Sequence, residues 1–522
     1  MSLDPVLAAS KSHPKPPNAQ FAYGTAGFRT LGAQLDSTVF RVGVLAALRS
    51  AKLEGKTIGV MITASHNPPQ DNGVKLVDPL GEMLPQVWEP YATQLANSED
   101  LLADVEDIVA KENIDVGKAG LVIVGRDTRE TGPELVTAAL DGINVFSQSK
   151  DFGELTTPQL HYLVRSHNDP EFGEPTEQGY IDKTVAAVEK IMNLWNITDP
   201  IKITVDAANG VGALKLKKLK SSLIAITVIN DNTRDKQALN VDCGADFVKT
   251  NQKLPANVQP TPDTLYSSFD GDADRVVFYY MEGQQFRLLD GDRIATLLAS
   301  LLNTLLQKVQ LKVKLGIIQT AYANGSSTKY IEEQLKVPVA FTPTGVKHLH
   351  HKAQEYDIGV YFEANGHGTV LFSDEYIKLL KTTNTTTEEQ QKALQTLQLL
   401  VEVINQTVGD SISDLLAVLL ALKIENKSCR DWADEYTELP NKLFKVLVAD
   451  RFAFKTANAE RQLVEPAGLQ EQIDALVQQF PQGRSFVRAS GTENAVRVYS
   501  EAASETDCLE LGNRVCKLLE KY

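Results

Sequence analysis

Cysteine is scarce in this chain: Cys243, Cys429, Cys508 and Cys516 are the only four in 522 residues, and none falls in C-x-x-C spacing. This excludes a disulfide framework and a zinc ribbon, and predicts free thiols in a reducing compartment. No run of about 18 apolar residues, the length a membrane-spanning helix needs, is present. Lys11-Ser-His-Pro-Lys-Pro-Pro17 is no basic start to an apolar stretch, so a secretory leader is not expected either. Basic residues are outnumbered, 52 Lys and Arg against 67 Asp and Glu, and the net charge of -15 speaks against nucleic acid or an anionic membrane surface as partner. The glycosylation-like triplets Asn196-Ile-Thr198 and Asn384-Thr-Thr386 carry no meaning in such a compartment. The expectation is a cytoplasmic protein with small-molecule partners and no obligate protein partner.

What is present begins with Asp270-Gly-Asp-Ala-Asp-Arg275. Asp270, Asp272 and Asp274 alternate with small residues, so an extended or tightly turned backbone can aim three carboxylates one way. Their mutual repulsion would be relieved by a bound cation, and an all-oxygen set suits Mg2+. An EF-hand is excluded, since the sixth position is Arg275 where glycine is needed and the twelfth is Met281 where glutamate is needed. Leu265 to Phe269 and Val276-Val-Phe-Tyr-Tyr280 read as strands, which puts the acids on the turn between them. Taken alone, the cluster could equally be a solvated acidic loop.

A second segment, Thr63-Ala-Ser-His-Asn-Pro-Pro69, follows the apolar run Thr57-Ile-Gly-Val-Met-Ile62. Its Asn-Pro-Pro ending forces an irregular loop and predicts that Ser65 sits on a rigid, exposed turn. Serine is a weak nucleophile, but a phosphoserine beside a divalent cation is a phosphoryl donor with its charge neutralised. A Ser-His-Asp hydrolase is disfavoured, because neither a G-x-S-x-G elbow nor a glycine-rich oxyanion hole surrounds Ser65. Alone, this segment reads as an Asn-Pro turn with an incidental serine.

Three further segments complete a pattern: Tyr23-Gly-Thr-Ala-Gly-Phe-Arg29, Phe362-Glu-Ala-Asn-Gly-His-Gly-Thr369, and Arg488-Ala-Ser-Gly-Thr-Glu-Asn494 with Arg497. Together the motifs resemble those of the alpha-D-phosphohexomutase superfamily, which carry in this order a phosphoserine loop, a metal loop, a sugar-reading loop and a C-terminal phosphate loop. The resemblance spans nearly the whole chain. It implies a phosphorylated Ser65, and Mg2+ held by Ser65, Asp270, Asp272 and Asp274. The substrate would be bound by Arg29, Arg275, Glu363, Ala364, Asn365, Arg488, Ala489, Ser490, Gly491, Thr492 and Arg497. Residue chemistry fits the last group: Ser490 and Thr492 offer hydroxyls, Gly491 lets a backbone N–H approach, and the two arginines can grip phosphate bidentately. By itself that loop could as well be a polar hairpin.

Two departures narrow the resemblance. Val122-Ile-Val-Gly-Arg-Asp-Thr-Arg129 follows the serine loop instead of preceding it, an order that resembles the eukaryotic phosphoacetylglucosamine mutase branch. The sugar loop reads Glu363-Ala-Asn365 where glucose and mannose enzymes typically have serine third. The small Ala364 and the amide of Asn365 would suit an N-acetyl group, although Asn365 could as easily make a turn. The implied reaction passes phosphate from Ser65 to N-acetylglucosamine 6-phosphate, giving the 1,6-bisphosphate. This intermediate turns around, returns its other phosphate to Ser65 and leaves as N-acetylglucosamine 1-phosphate, the supply for UDP-N-acetylglucosamine synthesis. A sugar 1,6-bisphosphate would prime the serine. Lys75, His66 and the loop Thr342-Pro-Thr-Gly-Val-Lys-His348 are all candidates to take the hydroxyl's proton. Rival readings are a glucose or mannose phosphate mutase, an aspartate-nucleophile phosphatase, and a silent sugar-phosphate binding protein.

Length and pattern predict an α/β chain of three related mixed-sheet domains followed by a smaller α+β domain. Leu121-Val-Ile-Val124, Ile201-Lys-Ile-Thr-Val205 and Leu315-Gly-Ile-Ile318 form a threefold echo, each a short strand followed by a polar turn and a helix. The expected domains are 1–175 with the serine loop, 176–289 with the metal loop, 290–432 with the sugar loop and 433–522 with the phosphate loop. An apolar helix is expected from Ile294, and Cys429-Arg-Asp-Trp432 with Leu439-Pro440 reads as the last linker.

Overall fold

The computed structural model describes residues 3–490 and 494–522. They divide into two compact units, Met1–Asp290 with Gln398–Ile424, and Gly291–Leu397 with Glu425–Tyr522. No helix among the described residues is long and apolar enough to cross a membrane.

In the first unit β1 (Phe28–Leu31), β2 (Ile58–Ile62), β3 (Asp71–Val77), β4 (Leu121–Arg126) and β5 (Gln148–Glu154) form one sheet in the order β1-β3-β2-β4-β5. The central β2 is buried at all five positions, as a strand covered on both faces must be. Ile58, Val60 and Ile62 join the core that contains the helices Asp36–Lys52 and Gly132–Ile143. Gly59, pointing the other way, faces Val164 of the helix Thr157–Asn168. The second sheet, in the order β10-β9-β8-β6-β7, holds β6 (Ile201–Asp206), β7 (Ile224–Ile229), β8 (Tyr266–Phe269), β9 (Val276–Glu282) and β10 (Gln285–Leu289).

The second unit has a four-stranded sheet, β12-β11-β13-β14, made of β11 (Leu315–Thr320), β12 (Val339–Thr342), β13 (Ile358–Phe362) and β14 (Gly368–Phe372). Its C-terminal part sets β15 (Asn441–Leu447) and the small hairpin of β16 (Lys455–Ala457) and β17 (Gln462–Glu465) beside β18 (Arg484–Ala489) and β19 (Ala495–Glu501), with helices Leu469–Val477 and Glu505–Leu519. The α/β then α+β class expected from the sequence is the one observed.

The three large sheets share a plan that positions the functional loops. In each, one strand is parallel to a neighbour on one side and forms a hairpin with an antiparallel neighbour on the other: β2 between β4 and β3, β8 between β6 and β9, β13 between β11 and β14. The serine, metal and sugar loops are the turns of these three hairpins. Chain order differs in the first sheet, where the hairpin β2–β3 precedes the strand β4; in the others the parallel strand comes first. The late position of Gly125-Arg-Asp-Thr-Arg129 follows directly from that order.

Two expectations are corrected. Cys429-Arg-Asp-Trp432 is no linker: Cys429–Ala433 is a short helix capped by Ser428, and Trp432 is wholly buried, its Nε1 donating to Arg293 O at 3.2 Å. The helix expected from Ile294 begins earlier, at Gly291.

Candidate active site

β2 delivers the chain into the serine loop, and the loop is folded inward. Ser65 is not exposed as expected but fully buried, with φ +51. That left-handed geometry is unfavourable for a residue bearing Cβ and persists only where the surroundings enforce it. The enforcing group is Arg129, at the end of the turn after β4. Its Nη2 donates to Ser65 O at 2.8 Å and Asn67 O at 2.9 Å, its Nη1 to Pro68 O at 2.6 Å and Asp71 O at 2.7 Å, and its Nε to Asp127 Oδ2 at 3.0 Å. All five guanidinium N–H groups are used. Because β2 and β4 are parallel neighbours, both turns leave the sheet at the same edge. Asn240 Nδ2 adds bonds to Ser65 O at 2.9 Å and Asn67 O at 3.1 Å. The sequence marks Arg129 only as the end of the Gly125-Arg-Asp-Thr-Arg129 segment, with no role attached, and does not mark Asn240 at all.

The metal loop is the β8–β9 turn. Asp270 Oδ1 accepts the amides of Asp274 at 3.0 Å and Arg275 at 3.1 Å, which closes the turn. Asp270 Oδ2 receives Ser65 Oγ at 2.5 Å. From the far side the helix Ser411–Glu425 rivets the loop, Ser411 N donating to Ala273 O at 3.0 Å and Ser411 Oγ to Arg275 O at 2.7 Å. A Cβ on Gly271 would stand 2.6 Å from Ser65 O, so the two loops meet backbone to backbone only because this residue is glycine.

Asp270, Asp272 and Asp274 are all buried and can each place an oxygen within 4.8 Å of the others. Burial, then the neighbouring Asp274 and Asp272, push the Asp270 carboxyl well above the usual carboxylate range. Asp272 Oδ1 is buried with no hydrogen-bond partner among the described residues. Crowded, desolvated hard oxygens with one left orphaned are the donor set a Mg2+ ion satisfies. These residues fit the cation.

Cations surround the cluster. Lys75 of β3 lies 3.5 Å from Asp274 Oδ2 and 3.7 Å from Asp272 Oδ2. Arg29 of β1 has a buried Nε without a hydrogen-bond partner among the described residues, and burial lowers its proton affinity against the opposing pull of Asp272. Arg275 Nη1 pairs with Asp246 at 2.7 Å. His66 Nδ1 lies 3.5 Å from Ser65 Oγ, and burial, then the Arg275 charge, push the imidazole down to about 4, so it is neutral near pH 7. The structure thus gathers Ser65, His66, Lys75, Arg29, Arg275 and the three aspartates into one site, together with Arg129, Asn240 and Asp246.

In the second unit, Glu363, Ala364 and Asn365 form the β13–β14 turn. Asn365 Oδ1 accepts His367 N at 3.0 Å, which commits one lone pair of its carbonyl to the turn, and its Nδ2 stands 3.5 Å from Glu363 Oε2. Arg488 and Arg497 are direct cross-strand partners on β18 and β19, which sets both side chains on one face. Arg488 Nε donates to Tyr322 OH at 2.8 Å, and its Nη1 lies 3.7 Å from Glu460 Oε1. Ala489 and Ser490 close the strand, Ser490 N bonding Ala495 O at 2.8 Å. Gly491 and Thr492 lie outside the described residues. In the loop Thr342–His348, Thr344 donates from both its amide and its hydroxyl to Glu460.

Comparison with known proteins agrees along the whole chain. Residues 173–277 and 290–427 match the family models for domains II and III of phosphoacetylglucosamine mutase AMG1. Residues 38–103 and 443–518 match domain I and the C-terminal domain of phosphoglucomutase/phosphomannomutase. The phosphoacetylglucosamine mutase of Candida albicans is 51% identical, over 100% of both chains. An N-acetylglucosamine-phosphate mutase solved in its substrate complex superposes with a TM-score of 0.96 at 51% identity, covering 100% of each chain. The Aspergillus fumigatus N-acetylphosphoglucosamine mutase with GlcNAc-6P and magnesium gives 0.95 at 46% identity, over 100% of this chain and 99% of that one. A variant of the A. fumigatus enzyme holding glucose 1,6-bisphosphate gives 0.93 at 46% identity, over 99% and 98%. With identity of this depth from end to end, and all four domains matched in succession, the chain belongs to the phosphoacetylglucosamine mutase family of the alpha-D-phosphohexomutase superfamily.

Proposed function

We propose that this chain interconverts N-acetylglucosamine 6-phosphate and N-acetylglucosamine 1-phosphate through a phosphoserine at Ser65 and a 1,6-bisphosphate intermediate. The observation that carries the reading is the direct approach of Ser65 Oγ to Asp270 Oδ2, 2.5 Å apart, inside a buried cluster of three carboxylates. Relatives alike over their whole length are named for this reaction, and two solved ones hold GlcNAc-6P with magnesium and glucose 1,6-bisphosphate. Mg2+ would be held by Asp270, Asp272, Asp274 and a phosphoserine oxygen, and when bound it supplies neutralisation of the phosphoryl charge. A sugar 1,6-bisphosphate would prime the serine.

The remaining steps fall to side chains. Arg129 and Asn240 fix the serine loop by its carbonyls, so Ser65 Oγ keeps one direction through the cycle. Arg29 and Lys75 face the transferring phosphate's charge. Neutral His66 can take the proton of the attacking hydroxyl, with Lys75 and the loop Thr342–His348 as the other candidates. Glu363 and the Asn365 amide would read the sugar, and Arg488, Ser490 and Arg497, with Gly491 and Thr492, would grip the distal phosphate in either orientation of the intermediate. The four-domain division, 1–175, 176–289, 290–432 and 433–522, is supported by family models that follow one another along the chain. Four free, scattered cysteines support a reducing, cytoplasmic setting, where the product would supply UDP-N-acetylglucosamine synthesis.

The test is turnover with Mg2+ and a sugar bisphosphate primer, comparing N-acetylglucosamine 6-phosphate with glucose 1-phosphate and mannose 1-phosphate, for the unaltered protein and for Ser65→Ala. Preference for the acetylated sugar, with kcat reduced roughly 10⁴-fold or more in Ser65→Ala while sugar phosphate still binds, is the expected result. Preference for glucose or mannose phosphate overturns the substrate and leaves the chemistry. A Ser65→Ala protein that turns over normally overturns the chemistry.

A further inference from the structure

The two oxygens of Asp272 are not equivalent. Oδ2 accepts from Thr157 Oγ1 at 2.6 Å and lies 3.2 Å from Thr63 Oγ1 and 3.7 Å from Lys75 Nζ. Oδ1, as deeply buried, has no partner among the described residues. A hydroxyl has one proton to give. Thr63 stands nearer to Asp127 Oδ2, at 2.7 Å, and already accepts the Ser65 amide. Its proton therefore goes to Asp127, and Thr157 is the hydroxyl committed to Asp272.

Thr157 is itself held in place. It opens the helix Thr157–Asn168, where Thr156 and Gln159 close a capping box around the first turn. Its amide, one of the donors a helix start leaves without an internal partner, reaches Asp272 O at 3.2 Å. Thr157 is wholly buried, so no solvent molecule replaces a lost hydroxyl at little cost. The positive end of the helix also favours a carboxylate here.

We propose that Thr157 is a positioning residue that fixes the plane of the Asp272 carboxylate: by holding one oxygen it presents the other, here Oδ1, to the cation. The terminal torsion of an aspartate is soft and twofold. Without the Thr157 bond the carboxylate plane is free to turn, and metal binding must restore the order. Partners of this kind, one bond away from a metal ligand, change metal affinity by roughly 10- to 100-fold when removed. The inference rests on the assignment of the three aspartates to Mg2+.

The experiment is calorimetric titration of the full-length, dephosphorylated protein with Mg2+ alone, alongside melting temperatures in EDTA. Thr157→Val, which keeps shape and loses the hydroxyl, is expected to bind Mg2+ about 10- to 100-fold more weakly. Thr157→Ser is expected to retain the affinity. Equal affinity in Thr157→Val and the unaltered protein would overturn the inference, as would a Thr157→Ser protein as weak as Thr157→Val. If the valine variant shows no cooperative melt in EDTA, Thr157→Ala carries the same comparison. An unaltered protein that binds no Mg2+ overturns the metal assignment itself, and this inference with it, whereas binding untouched by Thr157→Val overturns the inference alone.

Discussion

Arg129 shows how much of the site depends on a residue that touches no substrate. Its five N–H groups satisfy three carbonyls of the serine loop, the carbonyl of Asp71 at the start of β3 and one oxygen of Asp127. Lysine keeps the charge but has three donors and no planar fork. Arg129→Lys therefore cannot serve all five of these buried acceptors: Asn240 still bonds Ser65 O and Asn67 O and Thr63 still bonds Asp127, but the planar clamp that ties them together is lost, and each buried acceptor left short of a donor costs about 1–3 kcal/mol. The expected outcome is a large fall in melting temperature together with loss of turnover, even though Ser65 and all three aspartates are present. A protein that melts normally would show that the loop keeps its shape unaided. In the sequence the reactive groups themselves were legible, because Ser65 and the three aspartates lie in short, chemically unusual runs. The clamp was not, because Arg129 acts through the backbone of a segment some 60 positions earlier, and a guanidinium aimed at carbonyls looks like any other turn arginine. The same blindness produced the wrong expectation of an exposed Ser65: Asn-Pro-Pro signals an irregular loop, and nothing local says whether the loop turns outward or folds under.

At the level of elements, the serine and metal loops work as a pair of hairpin turns pressed together. The strands that present them were readable from short apolar runs, and so was the placing of the acids between β8 and β9. What the runs do not reveal is how closely the turns approach. Gly271 permits it, since any Cβ there would stand 2.6 Å from Ser65 O and 3.0 Å from Asn240 Nδ2. Gly271→Ala must push the two loops apart or strain one of them, a cost of about 1–3 kcal/mol for overpacking. Because the displaced atoms belong to the loops that carry Ser65 and Asp270, activity is expected to fall much further than stability. Melting temperature and kcat measured on the same sample test this, and the idea fails if both change in proportion. The helix Cys429–Ala433 was missed for a related reason: its five residues are too few to show a helical period, and its burial comes from Trp432 bonding Arg293, a contact across more than a hundred positions.

Across the whole molecule the repeated sheet plan explains what the sequence echo meant. The strands that echo one another, in β4, β6 and β11, are the parallel partners of the three hairpin strands, while the loops with the chemistry sit on the hairpins. The equivalence of the serine, metal and sugar loops stayed hidden because the first sheet takes its hairpin before its parallel strand. Within the first unit this plan places Ser65 on one sheet and Asp270, Asp272 and Asp274 on the next, with Lys75 and Arg29 from the first sheet among them. A cation bound to the aspartates and to the serine phosphate would cross-link the two sheets. Such a ligand stabilises the folded chain by RT ln(1 + [L]/Kd), about 2.7 kcal/mol at a hundredfold excess over Kd. Stripping the phosphorylated protein of metal should therefore lower its melting temperature as well as abolish turnover. Returning Mg2+ should restore both and slow amide exchange in residues 58–77 and 266–282 together. If Mg2+ restores turnover while melting and exchange stay unchanged, the cation arrives with the sugar phosphate instead of resting on the three carboxylates. The burial and repulsion that lift the Asp270 proton affinity would then have to be offset by the side-chain cations, Arg275 among them.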